Sequence, residues 1–132
     1  MRQIIQNAIQ SPDNTILISR HRHDYQSYTD TITGAEYVVD GGHEYIRTSA
    51  YDDQVSLAVY ADDDISIKAD KMVWGTRGKL GDEPLRYVFL KDCETEHLEK
   101  ILEQKNIASY MPEIIQYILF AQRMIVKDNP NT

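Results

Sequence analysis

Glu36-Tyr37-Val38-Val39-Asp40-Gly41-Gly42-His43-Glu44-Tyr45-Ile46-Arg47-Thr48 sets two runs of β-branched and aromatic residues on either side of a glycine pair. Both runs carry the residue types of half-buried strands, and the glycines supply the positive φ that a reversal needs. A β-hairpin is the expected form. Outward from it the same signature recurs in Thr15-Ile16-Leu17-Ile18-Ser19, Val55-Ser56-Leu57-Ala58-Val59-Tyr60, Ile65-Ser66-Ile67, Lys71-Met72-Val73-Trp74 and Leu85-Arg86-Tyr87-Val88-Phe89-Leu90. Thr31-Ile32-Thr33-Gly34 and Asp62-Asp63-Asp64 serve as connections between them. Residues 14–92 therefore read as a β-rich body, mostly antiparallel.

The period changes at both ends. Ile4, Ile5, Ala8 and Ile9 fall at helical spacing until Ser11-Pro12-Asp13-Asn14 breaks the pattern, which predicts a short N-terminal helix or arm within residues 1–13. So short a helix must dock on the body or on a second subunit. Two helices are expected over 93–128. Leu98, Ile101 and Leu102 stripe the first, which Thr95 or Asp92 caps and Glu96 and Lys100 support as an i,i+4 pair. Ser109 caps the second, Pro112 sits in its first turn, and Ile114, Ile115, Ile118, Leu119 and Ile125 form its buried face. Residues 129–132 are a polar tail. The whole reads as one α+β domain spanning 1–132, with an antiparallel sheet followed by two C-terminal helices.

Composition bounds the function. Of 132 residues, 42% are hydrophobic and 27% charged, with 14 Lys+Arg against 21 Asp+Glu and a net charge of −7. Direct nucleic-acid binding is disfavoured, because neutralising phosphates takes a surplus of cations. Residues 51–100 hold most of the imbalance, a sign that suits a solvated surface, a basic partner or mimicry of DNA phosphates. One cysteine, Cys93, excludes an internal disulfide and a cysteine-based zinc site, and no segment is apolar enough to span a bilayer, so a cytoplasmic protein is expected. Cys93 reads as a buried or half-buried small side chain before a helix, and a nucleophilic role would need His97 as its base and a lowered pKa.

Three stretches bear on chemistry. Ser19-Arg20-His21-Arg22-His23-Asp24-Tyr25 would, as a strand, place His21 and His23 on one face about 7 Å apart. With His43 from the hairpin, and Asp24 or Asp40 beside them, these imidazoles are candidate catalytic groups of a small hydrolase or nuclease. The same three histidines are the candidate ligands of a metal, weighed against a solvated strand of alternating charge, and no metal or other cofactor is assigned. Asp40-Gly41-Gly42 offers backbone amides to an anion, or forms an ordinary hairpin turn. Trp74-Gly75-Thr76-Arg77-Gly78-Lys79-Leu80-Gly81 combines glycines with two cations suited to phosphate or carboxylate, but lacks the order of a P-loop. Asp40, Gly41, Gly42, Trp74, Gly75, Thr76 and Arg77 are thus the candidate ligand-binding residues. Nine tyrosines against two phenylalanines suit sheet packing and equally an interface.

Taken together, Ile18 to Tyr25, Tyr37 to Gly42 with Tyr45-Ile46-Arg47, Trp74 to Gly78 with Pro84-Leu85, and Thr95-Glu96-His97-Leu98 with Ile101-Leu102 resemble a family of small uncharacterised bacteriophage and prophage proteins. The likeness spans about residues 16–120. It implies a phage accessory protein made in the cytoplasm of an infected bacterium and carries over no catalytic or cofactor residue. The expected function is non-enzymatic binding of a host macromolecule or a small anionic ligand. A histidine- or metal-dependent hydrolase and a structural homo-oligomer are the alternatives.

Overall fold

The computed structural model describes residues 2–127, so the 129–132 tail lies outside the described residues. Along the chain run β1 (Ile4–Gln10), β2 (Ile16–Ser19), β3 (Gln26–Thr29), β4 (Glu36–Asp40), β5 (Arg47–Thr48), β6 (Val55–Ser56) and β7 (Val59–Tyr60). There follow α1 (Ile65–Lys71), β8 (Val73–Thr76), β9 (Arg86–Phe89), a 3-10 turn at Leu90–Asp92, α2 (Thr95–Leu102) and α3 (Met111–Lys127). The fold class is α+β with antiparallel sheets, as expected. The chain divides into two compact units. A β unit comprises residues up to Asp63 with Gly75–Tyr87, and a helical unit comprises Asp64–Trp74 with the residues from Val88 onward.

The N-terminal segment is a strand, which corrects the expected helix. β1 is the centre of its sheet: Asn7 pairs Ser19 and Ile9 pairs Leu17 on one side, while Ile9 meets Ser56 and Gln6 meets Val59 on the other. A central strand covered on both faces has no polar alternation, and Ile4 through Ile9 are all buried. Gln6 and Asn7 look like the wet side of a helix, yet both amides are spent on internal carbonyls. Gln6 Nε2 donates to the Leu57 carbonyl at 2.9 Å. Three isoleucines in seven residues were the β signal.

A second sheet runs β3-β4-β5, with Tyr28 opposite Tyr37, Gln26 opposite Val39, and Asp40 opposite Arg47. The expected hairpin at Asp40 is therefore present. Ile9, Leu17, Tyr37 and Val39 form the buried cluster of this unit, with Tyr28 and Ala35 against it. Tyr37 is fully enclosed and donates its hydroxyl to Asp53 Oδ1 at 2.7 Å.

In the helical unit the expected strand at Ile65–Ile67 is the first turn of α1. Its two isoleucines alternate over three residues, too short a window to separate the periods, and the Asp64 carbonyl accepts the Ile67 and Lys68 N–H groups instead. The two C-terminal helices are present, and α3 packs on α1 and α2. Leu98, Ile101, Ile114, Ile115, Ile118 and Leu119 are buried as expected, and Met111 joins them, whereas Ile125 is 70% exposed. Glu94 occupies the N-cap of α2 without a side-chain cap bond, and Thr95 Oγ1 donates to Gln122 Oε1 instead. β8 pairs with β9. No helix among the described residues is long and apolar enough to cross a membrane.

Candidate functional site

The imidazole-rich stretch is a turn and not a strand, so His21 and His23 do not share a strand face. Arg20 to Asp24 contain no apolar side chain to bury, and the local polar groups close the chain on itself. Asp24 N–H donates to the His21 carbonyl at 2.9 Å and Tyr25 N–H to the His23 carbonyl at 3.1 Å. The Asp24 carboxylate accepts Arg20 N–H at 2.8 Å and the Gln26 amide. Burial raises the Asp24 pKa, but these donors and the electrostatic influence of His21 and Arg20 outweigh it and hold the carboxyl below its ordinary range.

The turn lies against the glycine hairpin, as the sequence suggested. Ser19, 1% exposed, receives the Gly42 N–H on its Oγ at 2.9 Å and donates that hydroxyl to the Asp24 carbonyl at 2.6 Å. One side chain thus joins both turns. Gly42 has φ +55°, and a Cβ there would overlap the His21 backbone. Arg22 Nε faces Glu44 Oε2 at 3.2 Å across the gap. Beneath, Asn7 Nδ2 donates to the carbonyls of Asp40, Gly42 and Tyr45 at 2.9, 3.0 and 3.1 Å. Its Oδ1 is buried without a hydrogen-bond partner. Sequence reading missed Asn7 and Ser19, because a polar residue in an apolar strand gives no sign of which carbonyl it will meet.

The platform exposes its chemistry outward. His21, Arg22, His23, His43 and Glu44 are exposed, Tyr25 is 51% exposed and Tyr45 42%. Among the described residues no three of His, Cys, Asp and Glu form a group able to hold a metal. Asp40 is buried: its Oδ1 accepts Gly41 N–H at 2.9 Å and its Oδ2 lies 3.6 Å from the Arg47 guanidinium. The amides offered to an anion are already engaged, Gly41 by Asp40, Gly42 by Ser19, and both Glu44 and Tyr45 by the Gly41 carbonyl. An anion would have to displace them.

The second glycine-rich loop is similarly closed. Gly78 N–H donates to Thr76 Oγ1 at 3.2 Å, Gly81 N–H to the Gly78 carbonyl and Glu83 N–H to the Arg77 carbonyl. The Glu83 carboxylate lies over Gly78, where a like charge would repel an incoming anion. Leu85 and Tyr87 pack on Gly75, and Trp74 is half-buried. Arg77 and Lys79 remain exposed. The Arg20 guanidinium stands 5.0 Å from the Tyr87 ring centre, which joins this hairpin to the histidine turn. In the helical unit Cys93 is buried, and burial with the nearby Asp92 pushes its thiol up, away from thiolate chemistry.

Fold and site together define a small α+β chain that presents two cross-braced polar turns on a β unit. No family model, no curated protein and no solved structure matches it.

Proposed function

We propose that this protein is a non-enzymatic binding module that docks on a macromolecular partner through the turns at residues 20–25 and 41–46. One observation carries the reading: Tyr25 and Tyr45 stand exposed on backbone that buried Ser19 and Asn7 hold in place. Rigid amphipathic rings flanked by Arg and His are the composition of interface hot spots, and a braced backbone loses little entropy on association. A small anion is the weaker ligand, since the turn amides have internal acceptors. On this reading the partner is a host protein in a bacterial cytoplasm, a choice that the resemblance to phage and prophage proteins supports.

The test is affinity capture from bacterial lysate with wild type and a Tyr25→Ala/Tyr45→Ala double variant. Stoichiometric retention of one protein by wild type, lost in a double variant of unchanged melting temperature, is the expected result. Equal retention by both, or capture of nothing, overturns the reading. A divalent metal that raises the melting temperature of wild type but not of a His21→Ala/His23→Ala/His43→Ala variant would favour the hydrolase alternative instead.

A further inference from the structure

α3 carries two apolar stripes. One is the buried face already described. The other places Tyr117, Phe120, Ala121 and Met124 at i, i+3, i+4 and i+7, and all four are exposed, Phe120 by 62%. The outer side of a surface helix is ordinarily polar, and a contiguous apolar stripe there marks an interaction surface.

We propose that this stripe pairs with the same stripe of a second copy of the chain, the two helices running antiparallel. The argument for a second copy is the charge at the stripe's ends. Between Met111 and Ile125 the charged residues are Glu113 and Arg123, both exposed, and neither has an ion-pair partner among the described residues. Parallel pairing would set Glu113 against Glu113. Antiparallel pairing with Tyr117 of one copy over Ala121 of the other sets large against small and centres the twofold axis on residue 119. Glu113 then lies two residues, about 3 Å of helix rise, from the level of Arg123 of the second copy. The twofold repeats that contact at the other end, so both charges are used in both copies. A lone helix pair buries less than the about 1,000 Å² of a durable interface, so the dimer is weak and concentration-dependent.

Sedimentation velocity across a concentration series tests this. Wild type is expected to pass from monomer to dimer, and Phe120→Asp to stay monomeric with unchanged circular dichroism and melting temperature. Glu113→Arg and Arg123→Glu should each weaken the dimer several-fold, and the double reversal should restore it. A chain monomeric throughout, a dimer that persists in Phe120→Asp, or a double reversal no better than the singles overturns the proposal. So does a heterologous protein captured through Phe120 by a chain that stays monomeric. The Tyr25→Ala/Tyr45→Ala variant should dimerise like wild type, which separates this inference from the docking function of the turns.

Discussion

The β unit and the helical unit bury different materials. Every buried polar or charged side chain among the described residues, namely Gln6, Asn7, Ser11, Ser19, Asp30 and Asp40, belongs to the β unit. The buried side chains of the helical unit, from Ala69 and Met72 to Ile118 and Leu119, are all apolar. Apolar burial is non-directional and fixes volume, whereas hydrogen bonds fix direction. A unit that must hold two turns in one geometry needs the second kind, and a unit that needs only to keep its helices together can use the first.

The largest expected effect breaks that contrast if it is wrong. Asn7→Leu keeps the side-chain size but strands three carbonyls, and should cost about 3 kcal/mol or more. Leu98→Met, equally buried, should cost less than about 1.5 kcal/mol because it conserves volume and strands nothing. Urea unfolding measures both. Equal losses would mean that polar direction does not hold the β unit.

Next in size are two glycines of the β unit. Gly34 has φ +73° with open space around it, so Gly34→Ala should cost the backbone strain alone, about 1–2 kcal/mol. Gly42→Ala adds a Cβ that collides with the His21 backbone, and should cost a further ~1–3 kcal/mol by forcing the turns apart. Similar unfolding midpoints for the two variants would show that the turns are not tightly apposed.

The same contrast explains what the sequence disclosed. Ile114, Ile115, Ile118 and Leu119 recur at helical spacing because one face of α3 is buried, so period alone was enough. In β1 both faces are buried and Gln6 and Asn7 hide among isoleucines, so the strand carries no alternation and its spacing also fits a helix. The Asp40 hairpin was legible because glycine takes the positive φ at Gly41 and Gly42 without the steric cost that other residues meet. The apposition of the histidine turn to that hairpin was also anticipated, though as two strands. The conformation at 20–24 depends on Asp24 reaching Arg20 N–H, a bond that an alternating run of charges does not advertise. Ile125 has the spacing of the core stripe but is exposed, a difference set by packing and not by period.

Acid should separate the units further. Asp13 accepts the Thr31 N–H and the Tyr28 hydroxyl, with Ser11 and Thr15 also donating, and its carboxyl is held far below the ordinary carboxylate range despite desolvation. Burial pushes Asp30 up, but N–H groups of Thr33, Asp13 and Ile32 outweigh it and leave it lowered. A carboxyl with a depressed folded-state pKa contributes stability above its unfolded value, near 4, and loses it as pH falls through the folded value. The melting temperature of the β unit, read by near-ultraviolet tyrosine signals, should therefore fall below about pH 4. Asp30→Asn should lower stability at neutral pH and flatten that dependence. A melting temperature unchanged through acid would remove the carboxylates from the account of what ties the 11–15 and 30–35 loops.

The smallest effect concerns an ion pair that bridges the two turns. Arg22 and Glu44 meet at 3.2 Å with side chains 63% and 57% exposed, and water competes fully for both. Such pairs contribute at most about 0.5–1 kcal/mol, so Arg22→Gln and Glu44→Gln should leave the unfolding midpoint nearly unchanged. The turns would then be held from below, by Asn7 and Ser19, with the charges above them free to be exchanged for a partner's. If either variant instead destabilised the β unit as much as Gly42→Ala, the surface pair would be part of the brace. The exposed face could not then be given to a partner without loosening the fold beneath it.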